Sequence, residues 1–325
     1  MSGVRVDFGR PEECIVGNDA CTLVRGIDGG TPLGFLAAIG LLTVLTERGS
    51  SNGPLPPRLA WVANPNWLPT LSHVGPIERA ARLVQEDAQS CQVARVLRLR
   101  YVKLEKSGPK VVSALRPPVA VLRKWLEDRI AANDTCSLEL MTGLVSEVPN
   151  ENMDTSASAE TAHELSVPFD PSASLSHVAA RTYFDFTSRN QQFLEQVEFI
   201  RTHLTESRIL DALSGDNPDA DCGGKMKGDS RADPPAALFS GLSRSVRSVL
   251  EWLAFRGLGA TPTFVERGVA RTTACTGRRL NGRFHWPIWS VPVSLRVARS
   301  LLAIEDVRHQ SLAARRTLGI AACFG

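Results

Sequence analysis

Gly26–Arg48, GIDGGTPLGFLAAIGLLTVLTER, is the stretch whose reading decides the fold. It opens with Gly26, Asp28, Gly29 and Gly30, a turn-forming run that no regular element would carry. Thr31 then stands as an N-cap, its hydroxyl placed to accept a backbone N–H of the first turn. Pro32 follows at the first helical position, where its missing N–H has no intrahelical partner to lose. Leu33 to Leu45 is apolar almost all round, with Gly34, Ala37, Ala38 and Gly40 keeping one side flat. The pattern predicts a helix buried on most of its circumference, with a neighbour packed close against the small-residue side. Its 13 residues fall short of the roughly 20 needed to span a bilayer. A central core helix by itself names no function.

On the N-terminal side, Val4–Phe8 alternates and reads as a short strand, and Cys21–Arg25 as a strand leading into the helix. On the other side, Ser50–Pro57 is a linker and Arg58–Val62 (RLAWV) a half-buried strand. Asn64-Pro65-Asn66 turns the chain so that Trp67, Leu68 and Leu71 pack back. Helices are predicted from Pro76 to about Ser90 and from Pro117-Pro118 to about Ala131. Ser137–Leu144 reads as a further apolar strand in the same sheet. Glu147–Ser176 is polar and unperiodic, which makes it the candidate boundary.

Beyond the boundary, within Tyr183–Leu213, Thr187 can cap a helix in which Phe193, Leu194, Val197, Ile200 and Leu204 recur at helical spacing. Gly215–Pro235 reads as a loop and Ala236–Arg256 as a helix. Val269–Cys275 and Gly282–Ile288 read as strands joined by a turn through Gly277-Arg278-Arg279. Trp286, Pro287 and Trp289 are core aromatics, Ser294 caps Leu295–Ile304, and Glu305–Leu318 reads as a final basic helix. The expectation is an α+β protein. Residues 1–146 form an α+β domain with a mixed sheet, 147–180 a linker or irregular crossing, and 181–325 a more helical domain ending in a β-hairpin and helix.

Composition narrows the class. With 43% apolar and 22% charged residues the chain belongs with soluble globular proteins, and 325 residues suit one large domain or two ordinary ones. No basic region followed by an apolar run marks a signal peptide. Seven cysteines without a CxxC pair argue against a disulfide framework or zinc site and for a reducing cytoplasm. The net charge of +3 hides an asymmetry. Arg95–Lys124 holds nine basic residues against Glu105, Glu127–Asp221 is acidic, and Arg267–Arg316 carries ten arginines against Glu305 and Asp306. Such blocks are the footprint of a polyanion binder, and they are also what a solvated face collects.

Arg98 and Arg100 alternate with Leu97, Leu99 and Tyr101, and Lys103, Lys106 and Lys110 continue the charge. That segment suits a track for a phosphate backbone, or an edge strand guarding itself with charge. Arg278, Arg279 and Arg283 would make a compact patch at a hairpin. Lys225 and Lys227 sit between glycines in GGKMKG, which lacks the GxxxxGK[ST] spacing of a P-loop and leaves a basic loop able to touch nucleic acid. No catalytic residue or metal ligand set is expected, and no cofactor: Asp28, Asp185 and Glu266 are isolated, His285 lies in an apolar strand, and no GxSxG, HExxH or nuclease spacing occurs.

Five of these segments occur in one order: GIDGGTPLGFLAAIGLL, RLAWV…NWLPTL, FDFTSRNQQFL, EWLAFRGL and FHWPIWSVPVSLRVARSLL. Over roughly Gly26–Ile304 that order resembles a family of CRISPR-associated proteins of type I-G (formerly I-U) loci, including the module that extends the helicase–nuclease. Ser188-Arg189 and the tail after Arg308 depart from the family's pattern, so no DNA-contact role is carried over to Arg189. The resemblance implies a non-catalytic, large-subunit-like member of an RNA-guided surveillance complex (Cascade) in the cytoplasm. Implied partners are double-stranded DNA near the PAM, the displaced single strand, guide-bound Cascade subunits and the helicase–nuclease, with no membrane. The alternatives are a metal-dependent nuclease or hydrolase, and a scaffold that binds only protein.

Overall fold

The computed structural model of the chain describes residues 13–16, 19–49, 55–91, 99–105, 108–114, 118–149, 177–181, 193–216, 247–276, 283–304 and 320–324. The first helix, α1 (Pro32–Gly49), starts as its sequence dictates. Thr31 Oγ1 accepts the Gly34 N–H at 3.1 Å and donates to the Asp28 carbonyl at 2.9 Å. The helix is longer than the apolar run, 18 residues against 13, because Thr46–Gly49 continue it with a polar last turn. By length and composition it now passes as a membrane-crossing helix, yet 67% of it is buried inside the fold. Every residue from Gly34 to Leu45 is buried. Protein rather than lipid surrounds it.

The strands β1 (Glu13–Val16), β2 (Asp19–Leu23), β3 (Arg58–Asn64) and β4 (Asn66–Ser72) cover one side. Strands β3 and β4 form a hairpin that closes at Asn64 and Asn66, as the Asn-Pro-Asn turn predicts. The sheet runs β1-β2-β4-β3-β14, and its last strand, β14 (Val293–Ser294), comes from the far end of the chain. All described pairings are antiparallel, which corrects the expected mixed sheet while the α+β class holds.

Three helices follow in chain order, α2 (Ile77–Ser90), α3 (Val119–Ala131) and α4 (Thr135–Leu144). Between α2 and α3, β5 (Leu99–Glu105) and β6 (Gly108–Ala114) make a two-stranded ribbon. The fourth helix replaces the strand expected at 137–144. Asp134 accepts the Ser137 N–H at 3.1 Å, and Ser137, Leu140, Met141 and Leu144 are buried at helical spacing. A ten-residue apolar run does not by itself distinguish the two states. The strand begins only afterwards, as β7 (Val145–Pro149), which pairs with β8 (His177–Arg181).

The helical spacing read from Phe193 to Leu204 belongs to the first of two helices among the described residues of this stretch. Helix α5 (Phe193–His203) stops at Leu204, and Thr205 caps α6 (Glu206–Ser214) by accepting the Arg208 N–H. Helix α7 (Ser248–Gly257) then lies against α1. A Cβ on Gly40 would sit 1.7 Å from the Leu253 carbonyl oxygen, and one on Gly257 would sit 2.2 Å from that of Leu36. The two backbones therefore touch, as the flat side of α1 predicts.

The C-terminal region holds β9 (Thr263–Glu266) and β10 (Val269–Thr272), then β11 (Cys275–Thr276) paired with β12 (Arg283–Phe284). Strand β13 (Trp286–Trp289) pairs with β15 (Ile320–Phe324), and α8 (Leu295–Ala303) follows Ser294, whose side chain makes no cap bond. The β9–β10 hairpin and β15 were not foreseen. One hydrophobic core runs from Val24 to Leu302. Residues on both sides of 147–180 contribute to it: β7 pairs with β8, and α1 packs on α7. The readings at Val4–Phe8, Glu305–Leu318 and the Thr187 cap lie outside the described residues.

Candidate functional site: a buried charge centre and the surface cations

The glycine-rich opening of α1 is architecture. Asp28 Oδ1 accepts the Gly30 N–H at 2.9 Å, closing the turn. The Gly29 N–H donates to the Trp67 carbonyl at 2.7 Å, and the Gly29 carbonyl accepts Trp286 Nε1–H at 2.8 Å. A Cβ on Gly29 would strike the Trp61 ring at 2.1 Å. Beneath this turn Phe35, Trp61, Phe284, Trp286 and Trp289 form one aromatic cluster, with Phe35 and Trp61 stacked 5.8 Å apart. Asp28 therefore shapes a turn, and the aromatics are core.

Among the described residues, the one deeply buried charge centre joins four helices at Arg256. Its guanidinium, on α7, is 1% exposed. Nε donates to Asp87 Oδ2 of α2 at 3.0 Å, one terminal nitrogen to Glu47 Oε2 of α1 at 2.5 Å, and the other to Cys136 Sγ of α4 at 2.9 Å. Arg48 approaches the second Asp87 oxygen at 3.5 Å. Burial opposes the charge of Arg256, but Asp87 and its other neighbours hold its pKa above the ordinary value. Burial raises the Glu47 carboxyl, partly offset by Arg256. The Cys136 thiol is pushed up by its hydrogen bond with Cys91 and by burial, and burial raises Cys275. Thiols so raised stay protonated and make poor nucleophiles.

Each of the three guanidinium nitrogens donates to a protein acceptor, so the centre acts as a clamp between helices. A second clasp, Arg299 on α8 to both oxygens of Glu139 on α4, lies nearer the surface. Sequence reasoning missed the clamp. The signal was a lone charge on an apolar stripe: Asp87 continues the Ile77, Ala80, Ala81, Val84 face of α2, and Arg256 continues the buried face of α7.

The predicted cations fare differently. Arg98, Lys106, Lys225, Lys227, Arg278 and Arg279 lie outside the described residues. Arg100 and Lys103 are in β5 and Lys110 is in β6. Register pairs Lys103 with Lys110 and Arg100 with Ser113. Arg283 is exposed at the start of β12, and its register partner Thr276 brings together the ends of the segment carrying Arg278 and Arg279.

Among the carboxylates weighed for chemistry, Glu266 is ion-paired with Arg271 at 3.3 Å and Asp185 is outside the described residues. His285 Nε2 is tied to the Thr276 hydroxyl at 2.9 Å. No group of three or more His, Cys, Asp or Glu side chains placed to hold a metal occurs among the described residues. In comparisons with known proteins, no protein-family model, curated protein or solved structure matches this chain.

Proposed function

We propose that this chain is a non-catalytic, large-subunit-like component of a type I CRISPR RNA-guided surveillance complex. In that role it contacts target DNA near the PAM and the displaced strand, and it helps to recruit the helicase–nuclease in antiviral defence. The ordered motifs carry the reading. Separated basic blocks lend it physical support, since each cation that meets a phosphate releases a condensed counterion. Pairing with the guide reads sequence in such a complex, while the protein supplies shape and backbone contacts. Within the described residues Arg267 and Arg271 are exposed on the β9–β10 hairpin, and Arg283 is exposed in β12.

The test is DNA binding as a function of salt, with the protein alone and with its coexpressed neighbours and guide RNA. Several phosphate contacts give a log–log slope of about −0.9 per contact on duplex DNA. Reversing Arg278, Arg279 and Arg283 to Glu together should flatten the slope by roughly that amount per lost contact. An unchanged slope removes that cluster from the interface. Absence of DNA binding in both settings favours a protein-only scaffold. Mg²⁺-dependent cleavage that is lost on substituting Asp28 or Asp185 favours a nuclease.

A further inference from the structure

Thr263–Thr272 is a β-hairpin anchored at its base, packed beside β7 and α4, and exposed at Phe264–Arg267, Val269 and Arg271. At the base the Thr263 and Thr272 hydroxyls lie 3.0 Å apart, and Thr273 donates its N–H and its hydroxyl to the Pro262 carbonyl at 2.9 and 2.8 Å. At the tip Glu266 and Val269 are register partners, with Arg267 and Gly268 at φ +50° and +78° between them. Two successive left-handed residues make the tight turn that matches strand twist. Strands β9 and β10 pair only with each other among the described strands.

Register sets Phe264 opposite Arg271 and Glu266 opposite Val269, so these four share one face. Phe264 is 53% exposed, and among the described residues it stacks on no ring. Arg267 and Arg271 are exposed here, and β10 leads through Thr273 and Ala274 into the strand pair that carries exposed Arg283. On the hairpin Arg267 and Arg271 outnumber Glu266, whose bond to Arg271 joins two half-exposed side chains and is weak enough for a phosphate to replace. Excess positive charge selects a polyanion over an apolar peptide. An exposed phenyl ring then selects among polyanions, because a duplex hides its base faces and a single strand offers them.

We infer that the 263–272 hairpin is a platform for single-stranded nucleic acid, with Phe264 stacked on an unpaired base and Arg267 and Arg271 on the flanking phosphates. The inference rests on the proposed function and narrows it to the displaced strand.

The experiment measures binding of the full-length protein to fluorescein-labelled poly(dT) and to a duplex of the same length. Phe264→Ala should weaken poly(dT) binding about tenfold and leave duplex affinity unchanged, and Phe264→Trp should restore it. Arg271→Ala should reduce the single-strand salt slope by about 0.7. If wild type and Phe264→Ala bind poly(dT) equally, the platform is overturned while the DNA-binding proposal stands. If the wild-type protein binds neither probe, alone or with its coexpressed neighbours and guide RNA, the proposal falls and takes the platform with it. A dimer that Phe264→Ala converts to monomer, with poly(dT) binding unchanged, assigns the face to a second copy and also overturns the platform.

Discussion

Arg256 and Arg271 are the same side chain in neighbouring elements, put to opposite uses. The first is 1% exposed and bonded to two carboxylates and a thiol from three other helices. The second is 43% exposed, with a single carboxylate 3.3 Å away on its own hairpin. Inside, a charge that has lost its water must find every partner in protein, so it specifies how α1, α2, α4 and α7 meet. Outside, water and salt already satisfy the guanidinium, so its ion pair contributes little to folding and it is free for a partner. Stability and recognition are thus assigned to different regions of the molecule, and each assignment is measurable.

The largest expected effect is at the clamp. Arg256→Met leaves buried Asp87 with only the longer contact to half-exposed Arg48 and should cost about 3–5 kcal/mol in denaturant unfolding. The double variant Arg256→Met with Asp87→Leu should recover much of that loss, because an apolar pair has no charge to desolvate. A double variant no more stable than Arg256→Met alone would show that the ion pair is not the source. Next comes the seam beneath it. Gly40→Ala pushes a methyl into the Leu253 carbonyl and should lower stability by roughly 1–3 kcal/mol, through separation of α1 from α7.

A pH series sharpens the contrast further. Glu47 is raised from 4.5, so the folded state holds its proton more tightly than the unfolded chain does. Its contribution to stability is therefore greatest below 4.5 and declines as pH rises through its folded value. Unfolding of Glu47→Gln alongside wild type should show the difference between them moving in that direction across the window. A difference independent of pH would show Glu47 unperturbed. The smallest effect is expected outside: Arg271→Ala should change stability by within about 0.5 kcal/mol. A loss comparable to that of Arg256→Met would erase the distinction between interior and surface.

Much of the fold was legible in sequence. Thr31, Pro32 and the apolar run announced α1, and its glycine–alanine side announced a close neighbour. The Asn-Pro-Asn turn announced the β3–β4 hairpin, and the position of Trp286 and Trp289 in the core was equally plain. The strand read at Ser137–Leu144 failed for a physical reason: that stretch is apolar enough for either state, and only the Asp134 cap and the packing around Leu140 and Met141 make it helical. Polar composition, likewise, says nothing about β7 finding β8 across 147–180.

By itself, the sequence determined elements whose signals are local: caps, turns, helical stripes, and the residues too small to keep two backbones apart. Only the tertiary structure decided that Arg256 meets Asp87, Glu47 and Cys136, that β14 closes a sheet begun near the other terminus, and that Phe264 is left in solvent beside arginines. The reason is range. A hydrogen bond within one turn of helix depends on residues a few positions apart, whereas a partner 169 positions away in the chain is chosen by the packing of the whole core.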